Sequence, residues 1–129
     1  MDRLRRVLEA DTRIAYAFLF GSRGRGSAHA GSDTDVAIGL TRGARLSAQE
    51  AGDLVSRLEA AAGGPVDIVV LDEAGPGVAY RVFRDGRPLF ARDRQGVAER
   101  RARAILESLD WKPIEAAFTR AALEASHRG

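Results

Sequence analysis

Runs of apolar residues mark four strands along the chain. Ile14–Phe20 and Thr34–Leu40 are short runs with β-branched or aromatic side chains, which is typical of buried strands. A third run covers Val66–Leu71, and a brief fourth one lies around Pro88–Ala91. Helical patterns separate these runs, so the chain is expected to form an α/β (α+β) domain.

Helical spacing of apolar positions is clearest between the second and third strands. Ser47 and Glu50 have the spacing of a capping box, and Gly63 is placed to end the helix. Amphipathic helices are also predicted before the first strand, over Leu4–Glu9, and around residues 78–83. The face expected to be buried in the central helix consists of Ala51, Leu54, Val55, Leu58 and Ala62.

The C-terminal part of the chain is predicted to be helical throughout. We assign residues 1–92 to a core and residues 93–129 to a C-terminal helical extension of the same domain. An apolar helical stripe is usually part of a core, so we expect it to cover the sheet in preference to binding a partner. The stripe consists of Val97, Arg101, Ala104, Ile105, Ser108 and Leu109, and after Pro113 it resumes with Ile114, Ala117, Phe118, Ala121 and Ala122.

Composition excludes several classes of protein. The 129 residues suit one domain, and 20 basic against 18 acidic side chains leave a net charge of +2, so no direct nucleic-acid binding is expected. The chain has no cysteine, which excludes disulfides and thiolate metal sites. No apolar run approaches the roughly 20 residues of a membrane span, and the N-terminus lacks the apolar stretch of a signal peptide. We therefore expect a cytoplasmic protein without membrane contact.

Three aspartates are placed where their carboxylates could meet. Asp33 and Asp35 open the second strand two residues apart, so both should project from one face. Asp67 lies among apolar residues of the third strand, where an unpaired buried charge would be costly. If the two strands are neighbours, the cluster would need a multivalent cation, and oxygen ligands favour Mg²⁺ or Mn²⁺. Each acid also has an ordinary interpretation, as a turn residue, a solvated strand residue and a rim residue respectively.

A glycine-rich segment directly precedes these acids. It begins with Gly21 and Ser22 at the end of the first strand and continues Arg23-Gly24-Arg25-Gly26. Such a segment leaves backbone N–H groups and a hydroxyl free to bind an anion, and Arg25 could add donors to a polyphosphate. A phosphate-binding turn beside three carboxylates predicts a site for a nucleoside triphosphate and divalent metal.

Gly21-Ser22, ten intervening residues and then Asp33-x-Asp35 resemble the signature of the DNA polymerase β-like nucleotidyltransferases. The longer string from Leu19 to Ala37 is similar to the minimal MNT branch of that superfamily, and Asp67 matches its third acid. Gly24 and Thr34 depart from the usual residues of the branch, alanine and a bulky aliphatic, but neither departure removes a metal ligand.

The resemblance implies a small mixed β-sheet packed against helices and transfer of a nucleoside monophosphate to a hydroxyl. In that scheme Asp33 and Asp35 hold two Mg²⁺ ions, and Asp67 binds one of them and helps deprotonate the acceptor. Gly21 and Ser22 hold the β- and γ-phosphates of ATP.

Many members of this branch resemble antitoxins that transfer AMP to a tyrosine of a partner HEPN-domain RNase toxin. This is the leading hypothesis for the acceptor. A small-molecule nucleotidyltransferase acting on an aminoglycoside-like hydroxyl and an antitoxin that acts by binding alone remain as alternatives.

Overall fold

The computed structural model describes residues 2–20 and 34–109, which form four strands and four helices. Within these ranges no helix combines the length and apolarity that crossing a bilayer requires. In chain order the elements are α1 Asp2–Ala10, β1 Ile14–Phe20, β2 Thr34–Leu40, α2 Ala48–Ala62, β3 Val66–Val70, α3 Pro76–Asp85, β4 Arg87–Ala91 and α4 over residues 94–109.

The four strands form one mixed sheet in the order β3-β2-β1-β4. β1 is antiparallel to both β2 and β4, whereas β2 and β3 are parallel. Parallel neighbours need a crossover connection, and α2 provides it between β2 and β3. The α/β (α+β) class and the mixed sheet are therefore confirmed, as are the predicted bounds of β1 and β2.

The ends of α2 follow from the side chains at its caps. The Glu50 N–H donates to Ser47 Oγ (3.1 Å), and the Ser47 N–H donates to Glu50 Oε1 (2.9 Å). At the other end Gly63 adopts φ 76°, and its N–H donates to the Glu59 carbonyl. The predicted capping box and glycine C-cap are both confirmed, and together they fix the residues at which α2 begins and ends.

Helices cover both faces of the sheet. On one face α1 and α2 pack against alternate strand residues; this core comprises Leu4, Leu8, Ile14, Ala17, Leu19, Val36, Ile38, Leu54, Leu58 and Val66. On the other face α3 and α4 pack against the intervening residues; this core comprises Ala15, Tyr16, Phe18, Ala37, Leu71, Ala79, Val82, Phe83 and Ala104. On β2 the two cores take alternate residues, as the period of two requires, whereas on β1 a register shift between Ile14 and Tyr16 puts Ala15 and Tyr16 in the same core.

The predicted buried face of α4 is wrong in part. Ala104 and Ser108 are buried as expected, but Ile105 and Leu109 are exposed. Arg100, which was not placed on the stripe, is buried, because it lies one helical turn before Ala104 on the face toward the sheet. The stripe predicted over residues 114–122 lies outside the described residues, and the division at residue 92 stays a prediction.

Arg13, in the turn between α1 and β1, connects two acidic side chains. Its guanidinium donates to Asp11 Oδ2 (2.6 Å) and to Glu50 Oε2 (2.6 Å), so it ties this turn to the start of α2. The hydrogen bonds from Arg13 hold the pKa of Asp11 below its ordinary value. The hydrogen bonds at the capping box, with Arg13 adding to them, lower the pKa of Glu50.

We expect this arrangement to make stability fall in acid. Because the pKa of Asp11 is lower in the folded than in the unfolded chain, its contribution is complete above the unfolded value of about 4. It is lost as the pH falls through the lower folded value. Thermal unfolding of the Asp11→Asn variant between pH 7 and pH 2 should show a weaker decline than the parent. Asp53→Asn, at an exposed position of α2, should follow the parent curve, and an Asp11→Asn curve parallel to the parent would contradict the assignment.

Candidate active site

Two of the six predicted site residues lie in the described part of the chain. Asp35 is the second residue of β2, and Asp67 is the second residue of β3. The other four predicted site residues, Asp33, Gly21, Ser22 and Arg25, lie outside the described residues. Their roles remain predictions.

Asp35 and Asp67 are direct register partners on adjacent parallel strands. Val36 and Val66, the chain neighbours of these acids, pack into the core below α1 and α2. Side chains alternate along a strand, so both aspartates project from the opposite face of the sheet. Adjacent strands lie about 4.8 Å apart, which brings the two carboxylates close enough to bind a common cation.

The pair lies at the edge of the sheet where the predicted phosphate-binding turn begins. Phe20, the last residue of β1, is the register partner of Asp35. The carboxyl end of β1 therefore meets the amino ends of β2 and β3, and Gly21 follows Phe20 directly in the chain. In the sequence, the Gly-Ser pair therefore comes directly after the residue that pairs with Asp35.

Burial differs between the two acids. Asp35 is half-buried, because its strand lies between β1 and β3. For Asp67 the sequence left a paired charge among apolar residues and a rim position as alternatives, and the residue is exposed. β3 has one neighbour in the described sheet, so its outer side is open. The cost of burying a charge therefore gives no argument that Asp67 needs a cation. Its register position opposite Asp35 does, because it places two carboxylates side by side.

The donor set suits a hard divalent cation. Two facing carboxylates repel each other unless a cation lies between them, and oxygen ligands of this kind favour Mg²⁺ or Mn²⁺. Among the residues that the structure describes, no group of three or more acidic or histidine side chains could hold a metal ion. Asp35 and Asp67 are two of the three predicted ligands, and the third, Asp33, precedes Thr34 in the sequence and lies outside the described residues.

Thr34 supports the two acids in a way that the sequence did not reveal. Its N–H donates to the Pro65 carbonyl (3.0 Å), and it is the register partner of Val66. The side chain is 2% exposed. Thr34 thus extends the pairing of β2 and β3 to the residue just before each acid.

Comparison with known proteins connects this arrangement to a family. A family model described as polymerase beta, nucleotidyltransferase matches residues 2–95, which include both described acids. No curated protein matches the chain.

Solved structures share the whole fold at low sequence identity. A toxin–antitoxin structure with AMP-PNP has a TM-score of 0.82 at 21% identity and covers 95% of this chain and 97% of that chain. A MntA–HepT toxin–antitoxin complex has a TM-score of 0.75 at 19% identity, with 95% of each chain covered. A complex of a tri-AMPylated Shewanella oneidensis HEPN toxin with its MNT antitoxin has a TM-score of 0.76 at 19% identity, covering 95% and 94%. At these identities the likeness is one of fold.

Proposed function

We propose that this chain, which belongs to the polymerase β nucleotidyltransferase family, transfers AMP from ATP to a tyrosine of a HEPN-domain toxin, with pyrophosphate as the leaving group, and thereby acts as its antitoxin. The observation that carries the proposal is the pairing of Asp35 with Asp67 on one face of adjacent parallel strands. The family supports nucleotidyl transfer, and the identity of the acceptor is our inference.

In this proposal the three acids hold the metal ions and the turn after β1 holds the phosphates. Asp33 and Asp35 would hold the two Mg²⁺ ions, and Asp67 would help to hold one of them and accept the proton of the attacking hydroxyl. Bound ions would stabilise the attacking and leaving oxygens of an in-line displacement. Gly21 and Ser22 donate to the β- and γ-phosphates, and Arg25 adds positive charge beside them.

The openness of the site supports a protein as acceptor. Asp67 is exposed at the edge of the described sheet, so a tyrosine on the surface of another molecule can approach it without entering a closed pocket. One of the similar structures is a complex of an MNT antitoxin with a HEPN toxin, and in that complex the toxin carries AMP groups. It supports the same acceptor here.

Exposed apolar residues supply a surface for such a partner. Ile105, Leu106 and Leu109 on α4 are 39%, 62% and 58% exposed, which is unusual for large apolar side chains on one helix. We assign the toxin contact to the C-terminal helical extension, residues 93–129, of which these residues form the described apolar part. Partner binding would remove this apolar surface from water.

Intact-mass spectrometry tests the transfer directly. The purified chain is incubated with Mg²⁺, ATP and the HEPN-domain protein encoded beside it, and the partner should gain the mass of one or more AMP groups. Changing the partner's acceptor tyrosine to phenylalanine should abolish the gain. AMP transfer to an aminoglycoside instead of the protein would favour the small-molecule alternative.

Toxin neutralisation separates catalysis from binding. The Asp33→Asn, Asp35→Asn double variant should lose neutralisation in cells while still binding the toxin. If the double variant neutralises the toxin as well as the parent does, an antitoxin that acts by binding alone is the correct interpretation.

A further inference from the structure

A cavity lies at the end of the sheet opposite the paired acids. Its volume is about 530 Å³, within the range of small-molecule sites. The cavity is lined by the end of β2, the start of β1 and one face of α4, and its residues include Tyr16, Leu40 and Arg103. Leu40 is five residues beyond Asp35 along β2, so the two sites are roughly 17 Å apart at the rise of a strand. No step of the proposed transfer uses this cavity.

The cavity contains three acidic side chains that already have hydrogen-bond donors. Asp72 Oδ1 accepts from the Leu40 N–H (2.9 Å), and Asp93 Oδ1 accepts from the Gly96 N–H (3.0 Å). Glu99 Oε1 accepts from the side-chain amide of Gln95 (3.1 Å). Each of the three acids is thus held by a donor of the protein itself, and two of these donors are backbone N–H groups.

Two arginines that line the cavity, Arg100 and Arg42, make fewer hydrogen bonds than their N–H groups allow. Arg100 is 9% exposed and donates from Nη2 to the Leu71 carbonyl (3.1 Å). Its Nε and Nη1 are shielded from water and have no hydrogen-bond partner in the part of the chain that the structure describes. A buried cation with three unpaired N–H bonds is costly unless an anion accompanies it.

Other donors surround Arg100. Burial raises the pKa of Tyr16 to about 12, so its hydroxyl stays protonated at neutral pH. Tyr16, Asp72, Arg100 and Arg103 all line this cavity. Arg42, on the rim, makes no hydrogen bond or ion pair with a described residue, so its five N–H bonds can donate to a ligand.

The supply of donors exceeds the capacity of a single carboxylate. Arg100 and Arg42 together leave eight N–H bonds, whereas a carboxylate has two oxygens with about four acceptor sites. A phosphate group offers at least three strongly accepting oxygens and greater negative charge. Phosphate is therefore the anion that this set of donors fits better.

We propose that this cavity binds the phosphate group of a small phosphorylated molecule or free phosphate, with Arg100 and Arg42 as its principal donors. The site is independent of the metal-binding edge. Binding pairs the buried guanidinium of Arg100 and joins α4 to the ends of β2 and β3 through one ligand.

Ligand-dependent thermal stability tests the proposal with inorganic phosphate as the probe. The Tm of the full chain should rise saturably with phosphate but not with sodium chloride of equal ionic strength. Glycerol 3-phosphate distinguishes the two sources, because tighter binding than inorganic phosphate indicates an ester as the ligand. Asp35→Asn should keep the full response, so loss of transfer and loss of phosphate binding are separate results.

Two substitutions identify the donors. Arg100→Met and Arg42→Met should each weaken phosphate binding by about tenfold, the effect of losing a charge-assisted contact. Arg84→Met, in an exposed pair with Asp85, is the matched control and should bind as the parent does. Arg42 is exposed, so its variant tests the site even if Arg100→Met does not fold. The absence of a saturable shift, or unchanged affinity in both variants, would overturn the proposal.

Discussion

Asp35→Asn is expected to lower the rate of AMP transfer by about 10³-fold or more. Asparagine keeps the shape of the side chain but lacks the charge that binds the metal ions. In the proposed mechanism Asp35 contacts both ions, so the variant loses transition-state stabilisation that a substrate contact cannot replace. A 10³-fold loss corresponds to about 4 kcal/mol of activation free energy.

The measurement is the initial rate of AMP incorporation into the partner at saturating ATP and Mg²⁺. Asp67→Asn should also be strongly impaired, because its register opposite Asp35 places it at the same site. Asp53→Asn, an exposed acid on α2, should keep the parent rate. Thermal unfolding of all three variants verifies that they fold. If Asp35→Asn retained a rate within about tenfold of the parent while folded, the metal site would have to lie elsewhere.

Local features of the fold could be predicted because the responsible residues are close in sequence. The apolar runs of β1 and β2 end where polar residues and glycine interrupt them, so both strands were bounded correctly. The capping box at Ser47 depends on two residues three positions apart, and both of its hydrogen bonds are present. The exposure of Ile105 and Leu109 depends on how α4 crosses the sheet, a long-range property that helical spacing cannot reveal.

In the candidate site, too, features that depend on neighbouring residues could be predicted, whereas features that depend on the tertiary fold could not. The prediction of a metal site came from the residue types and spacing of Asp33 and Asp35, which are close in sequence, but the position of Asp67 depends on parallel pairing of β2 with β3. The apolar neighbours of Asp67 did not decide between a paired charge and a rim position, and the edge position of its strand leaves it exposed. The burial of Arg100 was not expected either, because charge alone predicts an exposed side chain.

Gly39→Ala is expected to destabilise the fold by about 3 kcal/mol, at the upper end of the usual cost of overpacking. Gly39 and Tyr16 are register partners on β2 and β1. The ring of Tyr16 lies over Gly39 in the space that a Cβ atom would occupy. Tyr16 is itself buried and packs edge-on against Phe18 at 6.2 Å between ring centroids, so the ring cannot move aside without disturbing this core.

Urea unfolding compares this variant with the same substitution in open space. Gly52 lies in α2 with no atom within 4 Å of an added Cβ, so Gly52→Ala should stabilise the protein by about 0.5–1 kcal/mol. In a Tyr16→Ala background the ring is absent, and Gly39→Ala should then cost less than about 1 kcal/mol. Equal costs of Gly39→Ala in both backgrounds would show that the loss comes from the strand backbone and not from the ring. The same substitution is expected to lower the free energy of unfolding at Gly39 and to raise it at Gly52, because the space around the two glycines differs.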